Sequence, residues 1–201
     1  MASLNHPGGN LTGVANLLTE VATKRFELLH KAVPATQSIA LLTGSADIPN
    51  NQVEARLMQS AARTLGLRLQ VINVTVDTEI APIFGTLVEQ QIGAIVVGTD
   101  VIVDAKHDQI VLLAARYGLP TMFAYAADVR AGGLFSYASD VGDVFRQAGT
   151  YTGRILKGEK PVDLPVLQST KFQFIINLRT AKALGFQIPA DVLALADEVI
   201  E

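Results

Sequence analysis

Apolar positions along this chain follow two alternating rhythms. Residues 20–32 place Val21, Phe26, Leu28, Leu29 and Ala32 on one helical stripe, which Pro34 ends. Ser38–Thr43 is instead a continuous apolar run stopped by Gly44, the pattern of a strand buried on both faces. The helical period returns over 50–65 with Gly66 as its stop, followed by a strand over Leu67–Val74 and a helix over 78–91 with Asp77 or Thr78 as its cap. Ala94–Gly98 reads as a strand, Ala105–Tyr117 as a helix closed by Gly118, and Pro120–Tyr125 as the fourth strand. A fifth, over Leu134–Tyr137, follows the turn Ala131-Gly132-Gly133. Strands alternating with helices through short loops predict βαβ units, hence an α/β fold with a doubly wound parallel sheet. Past residue 137 the rhythm changes to a helix over 141–157, a proline-punctuated extended stretch, a strand-like KFQFIIN and a helical tail from Leu178.

Composition narrows what this frame can do. A length of 201 residues allows one sizeable core or two small lobes, and 49% apolar against 17% charged residues excludes a disordered chain. The net charge is −3 and no basic block exceeds Lys24-Arg25, so no nucleic-acid partner is expected. Without cysteine there is no disulfide, thiol nucleophile or thiolate metal site.

In an open parallel sheet a ligand sits beyond the carboxyl ends of the strands. The loops predicted there are Thr43-Gly44-Ser45-Ala46-Asp47, Thr75-Val76-Asp77-Thr78, Thr99-Asp100, Tyr125-Ala126-Ala127-Asp128 and Ser136-Tyr137-Ala138-Ser139-Asp140. Each carries a hydroxyl, a carboxylate or a phenol, groups that hydrogen-bond a polar small molecule, and Asp47 or Asp100 can meet an amine. The competing reading is that these side chains only cap the next helix. The candidate ligand-binding residues are Ser45, Ala46, Asp47, Thr99, Asp100, Tyr125, Ser136 and Tyr137.

Catalytic constellations are thin. His6, His30 and His107 all lie away from the predicted strand ends, and no G-x-S-x-G turn occurs. Asp104, His107 and Asp108 share a helical face at a spacing that can hold a metal, but a solvated helix start explains them more simply. No cofactor and no metal are expected.

The series Pro7-Gly8-Gly9-Asn10-Leu11-Thr12-Gly13, Lys24-Arg25-Phe26-Glu27-Leu28-Leu29, Ala131-Gly132-Gly133-Leu134-Phe135-Ser136-Tyr137, Ile155-Leu156-Lys157-Gly158 and Thr170-Lys171-Phe172, with Ile176-Asn177-Leu178-Arg179-Thr180-Ala181-Lys182-Ala183-Leu184-Gly185, resembles the ABC-transporter substrate-binding family that includes tryptophan- and phenylalanine-binding members. The resemblance implies a Rossmann-like lobe of a type I periplasmic binding protein. It further implies a small solute such as an amino acid as ligand, an ABC permease as partner and no chemistry. By the same comparison residues 1–140 form the second lobe, 141–163 a helix and connection that pack on a first lobe, and 164–201 a returning strand and helical tail.

The family's location is the periplasm or cell surface. The opening MASLNHPGGN has no leader signature, so a chain expressed as written is expected in the cytoplasm. With the first lobe outside this chain, Val144, Phe145, Ala148, Tyr151 and Ile155 would lack a sheet to cover, and a homodimer through the 141–157 helix is expected. The alternatives are a small-molecule sensor domain of a regulator and an α/β enzyme using a strand-end aspartate.

Overall fold

The computed structural model describes residues 3–76 and 78–201. Asp77, one of the two expected helix caps, lies outside the described residues. In chain order the elements begin with β1 (Val14–Ala15), α1 (Ala22–Ala32), β2 (Ser38–Thr43), α2 (Pro49–Leu65), β3 (Arg68–Asn73) and α3 (Ile80–Glu89). There follow β4 (Ala94–Val97), α4 (Val101–Asp104), α5 (His107–Tyr117), β5 (Thr121–Phe123), α6 (Ala126–Arg130), β6 (Phe135–Ser139) and α7 (Val141–Leu156). The chain ends with a 3-10 turn (Pro161–Asp163), β7 (Leu167–Gln168), β8 (Phe172–Asn177), α8 (Leu178–Ala183), α9 (Ala190–Leu193) and β9 (Glu198–Ile200).

The chain divides into two compact units, one of residues 3–17 with 139–172 and the other of 18–138 with 173–201. The larger unit is built on a sheet of order β3-β2-β4-β5-β6-β8-β9. The pairings from β3 through β6 are parallel, as is β8 with β9. Asn177 N donates to Leu134 O and Asp140 N to Lys171 O, so numbers rise along β6 as they fall along β8. The last two strands therefore run against the other five, and the sheet is mixed rather than wholly parallel.

All six residues of β2 and all four of β4 are buried because helices cover both faces. On one face Phe26 and Leu29 of α1 and Met58 of α2 pack with Ile39, Leu41 and Val96. On the other Phe84 of α3 and Ile110 of α5 pack with Ala40, Leu42 and Ile95. Gly66 and Gly118, at φ +69° each, close α2 and α5 in the left-handed conformation that glycine takes without strain.

Two helix expectations are corrected. The helix expected over Ala105–Tyr117 starts at His107, because Asp100 caps a separate short α4 and the chain turns through Ala105-Lys106. Nor does Thr78 cap α3: that helix starts after Glu79, while the Thr78 hydroxyl accepts from Thr75 N at 2.8 Å.

In the smaller unit β1 pairs in parallel with β7, and α7 packs on β1. Tyr151 is buried and donates its hydroxyl to Pro165 O at 2.8 Å, so this residue is covered within its own unit. Asp143, also buried, binds Arg146 at 2.6 Å, Lys171 at 2.9 Å and Gln147 at 2.5 Å. The Lys171 hydrogen bond first, and that of Gln147 next, hold its carboxyl below the ordinary range. Phe145 is 72% exposed and Leu156 82%. Among the described residues no helix is long and apolar enough to cross a membrane.

Candidate functional site

The carboxyl ends of β2, β4 and β5 bring the predicted loops to one rim of the larger unit. Asn51, near the start of α2, joins two of them: its Nδ2 donates to Ser45 O at 3.0 Å and to Asp100 Oδ2 at 2.8 Å. The other carboxylate oxygen of Asp100 accepts from Ile102 N at 2.8 Å as the cap of α4. Asp100 is thus buried and spent on holding the rim, and Gly44 lies against it with no room for a side chain. Asp47 is exposed, with its N–H donating to Ser45 Oγ at 3.3 Å, while Gln52 Nε2 donates to the exposed Ala46 O at 2.7 Å. This loop therefore holds a fixed backbone with its aspartate facing solvent.

Below it lies a pair that the pattern reading passed over. Arg25 of α1 and Glu54 of α2 are fully buried, with Nη2 to Oε1 at 2.6 Å. Arg25 Nη1 also donates to Leu18 O at 2.9 Å, and Glu54 Oε2 accepts from Thr99 N at 3.2 Å. Burial pulls the guanidinium below its ordinary range and Glu54 pulls it back. Breaking such a pair leaves a buried charge uncompensated, at a cost of about 3–5 kcal/mol. The signal was present: Arg25 lies on the buried stripe Ala22, Arg25, Leu29 and Ala32, and Glu54 on Asn51, Glu54, Met58 and Ala61, at spacings where an apolar residue is expected.

Thr99 and Tyr125 are partly buried at the same rim. Burial, with Asp104 next, raises the Tyr125 phenol, which remains a neutral donor at physiological pH. Ser136 and Tyr137 are placed differently from the expectation. Both lie inside β6 rather than in the loop after it, because that strand pairs Phe123 with Ser136 and runs on to Ser139. Ser136 is buried, and Tyr137 is packed against the core cluster that holds Phe135 and Phe174. The residues gathered at the rim are therefore Ser45, Ala46, Asp47, Thr99, Asp100 and Tyr125. A groove of about 300 Å³ opens beside them, lined by Thr43, Ala46, Asn51, Arg56 and Asn73 among others.

On the α5 side of Tyr125 a second charged group forms. Asp104, His107 and Asp128 come together, so Asp128 of α6 enters the group that the sequence pattern had drawn with Asp108. Burial raises the Asp128 carboxyl to about 6, with His107 acting against it. The hydrogen bond to the Asp104 carbonyl raises His107.

This constellation has hydrogen-bonding groups on loops fixed by a rigid sheet, as a solute-binding surface requires. A family model described as ABC transporter substrate binding protein matches residues 1–200. The chain is 23% identical over 185 residues to a tyrosine-binding protein of Clostridioides difficile (strain R20291), covering 92% of this chain and 52% of that protein. It thus spans about half the length of that curated relative. A crystal structure of an ABC domain in complex with L-Trp from Streptococcus pneumonia superposes with a TM-score of 0.82 at 29% identity, over 100% of this chain and 68% of that one. The ligand-free, open structure of a substrate binding protein with adhesive properties from Clostridium difficile does so at 0.74 and 24%, over 100% and 66%. The fold is that of the type I periplasmic binding proteins. By a match that runs almost end to end, this chain belongs to the ABC transporter substrate binding protein family.

Proposed function

We propose that this chain binds an amino acid, without transforming it, as the substrate-binding component of an ABC import system. The observation that carries this reading is the family match over residues 1–200, together with a polar rim of the larger unit that falls within it. The relatives named for tyrosine and L-Trp support an aromatic amino acid as the solute class. Asp47, exposed and next to the ordered Ser45 turn, is the carboxylate available to an ammonium group. Tyr125 offers a ring face and a hydroxyl, and Thr99 a further hydroxyl. Asp100 acts one step back, positioning the loops after β2 and β4. The partner is a membrane permease, and the working location is the periplasm or cell surface, as in other members of the family.

Titration calorimetry with L-tyrosine, L-tryptophan and L-phenylalanine tests this, with mass spectrometry of the recovered solute. One of the three binds and returns unchanged, and Tyr125→Ala weakens it about tenfold, the effect of an aromatic anchor in a recognition site. Turnover of the solute, or equal binding by Tyr125→Ala and Asp47→Asn, contradicts the proposal.

The α7 face also belongs to this reading. Phe145 and Leu156 leave apolar area in water at about 25 cal/mol per Å². A second copy is the proposed cover. Light scattering is expected to give twice the 21.4 kDa chain mass, falling to the single-chain value for Phe145→Asp. A single-chain mass for the unaltered protein rules the dimer out.

A further inference from the structure

Solute binding leaves one side-chain group without a role. Asp104 ends α4, His107 begins α5 and Asp128 lies in α6, and each offers one ligand atom, all within 4.8 Å of one another. His107 Nδ1 is 2.7 Å from the Asp104 carbonyl oxygen. A carbonyl only accepts, so Nδ1 carries a hydrogen and Nε2 is the nitrogen open to a cation, which would displace the proton that Nε2 shares with Asp108. This is the arrangement by which a backbone carbonyl orients a metal-binding imidazole. Nε2 faces Asp108 Oδ1 at 3.2 Å, on a side chain 87% exposed and so able to swing.

The charges around the ring are one-sided. Asp128 is 4% exposed, and the backbone of Tyr125 is the hydrogen-bond partner of its carboxylate. Among the described residues no lysine or arginine pairs with Asp104, Asp108 or Asp128. Lys106, which sits between the two helices in sequence, points its ammonium at Val76 O and Thr78 O, 3.2 and 3.0 Å away. A buried carboxylate beside an imidazole and a second carboxylate, with no lysine or arginine of the described residues paired to them, is a donor set that a cation can satisfy.

We propose that Asp104, His107 and Asp128 bind a divalent first-row cation of the zinc class, with Asp108 as a fourth ligand. One imidazole among carboxylates favours such an ion over calcium or magnesium, which take oxygen alone. Ligand bonds of about 2.0–2.2 Å require the group to contract by roughly 1 Å. Asp104 is exposed and His107 partly so, and both flank the turn at Ala105-Lys106, where the chain is not helical. The buried Asp128 is the fixed point onto which they close. The site stands apart from the solute reading, although Tyr125 lies close enough to feel both Asp104 and Asp128.

Calorimetry and thermal melting of the chelator-stripped chain with zinc chloride, manganese chloride and calcium chloride test it. One zinc ion binds per chain and raises the melting temperature, while calcium does neither. His107→Ala weakens zinc by more than about a hundredfold, beyond the loss seen for outer-shell partners. Asp128→Asn does the same, and His6→Ala changes nothing. If Asp128→Asn fails to fold, Asp104→Asn takes its place. Wild-type zinc affinity in His107→Ala, or no zinc binding at millimolar concentration, overturns the proposal, whatever the amino-acid titrations show.

Discussion

Gly44 and Asp100 show how one residue sets another. A Cβ at Gly44 would lie 2.1 Å from Asp100 Cγ, inside any contact distance. The carboxylate has nowhere to retreat without giving up Asn51 and Ile102 N, both at 2.8 Å. Gly44→Ala is therefore expected to cost about 1–3 kcal/mol, the range of overpacking and of a lost buried hydrogen bond. Because the damage passes through Asp100, the double variant Gly44→Ala/Asp100→Ala should be no less stable than Gly44→Ala alone. Urea denaturation of the two singles and the double closes the cycle. Additive losses would mean that the glycine is required for some other reason. Asp100 also shows what residue types alone leave open. Its place after an apolar run fits both a ligand contact and a helix cap, and the hydrogen bond from Ile102 N shows the cap.

The elements were legible wherever burial imposes a pattern. Ser38–Thr43 matches its expected strand residue for residue, because a strand covered on both faces must be apolar throughout. The short elements β1, β7, α6 and β9 carry too few residues for any period to show. Of α4 nothing was legible, because four residues are too few to show a helical period, and the helix expected from Ala105 begins two residues later at His107. In α7 the legible feature was amphipathicity, and the illegible one was Asp143, a carboxylate buried in the first turn with two cationic partners. Its folded-state pKa is depressed, so its stabilising contribution is present above the ordinary value of about 3.9 and is lost as pH falls through the depressed one. Asp143→Asn should flatten the fall in melting temperature between pH 5 and pH 2, leaving the variant closest to the parent at the acid end. Parallel acid slopes for parent and variant would show that Lys171 and Arg146 do not hold the charge.

At the scale of the molecule the chain passes between its two units three times, after residues 17, 138 and 172. The first passage is marked by Leu17 at φ +54°, a left-handed backbone that costs a non-glycine residue roughly 1–2 kcal/mol. The strain persists because both neighbours are tied. Ala15 O accepts from Ser169 N at 2.9 Å in the smaller unit, and Leu18 O accepts from Arg25 at 2.9 Å in the larger one. Only Asn16 and Leu17 remain to make the turn, and Leu18 is buried immediately after it. Glycine at 17 removes the steric cost but widens the unfolded ensemble, so Leu17→Gly should stabilise the chain by about 0.5–1 kcal/mol net. Urea denaturation of the variant beside the parent checks this. A stability that drops would mean that the leucine side chain, rather than the backbone turn, is what the passage requires.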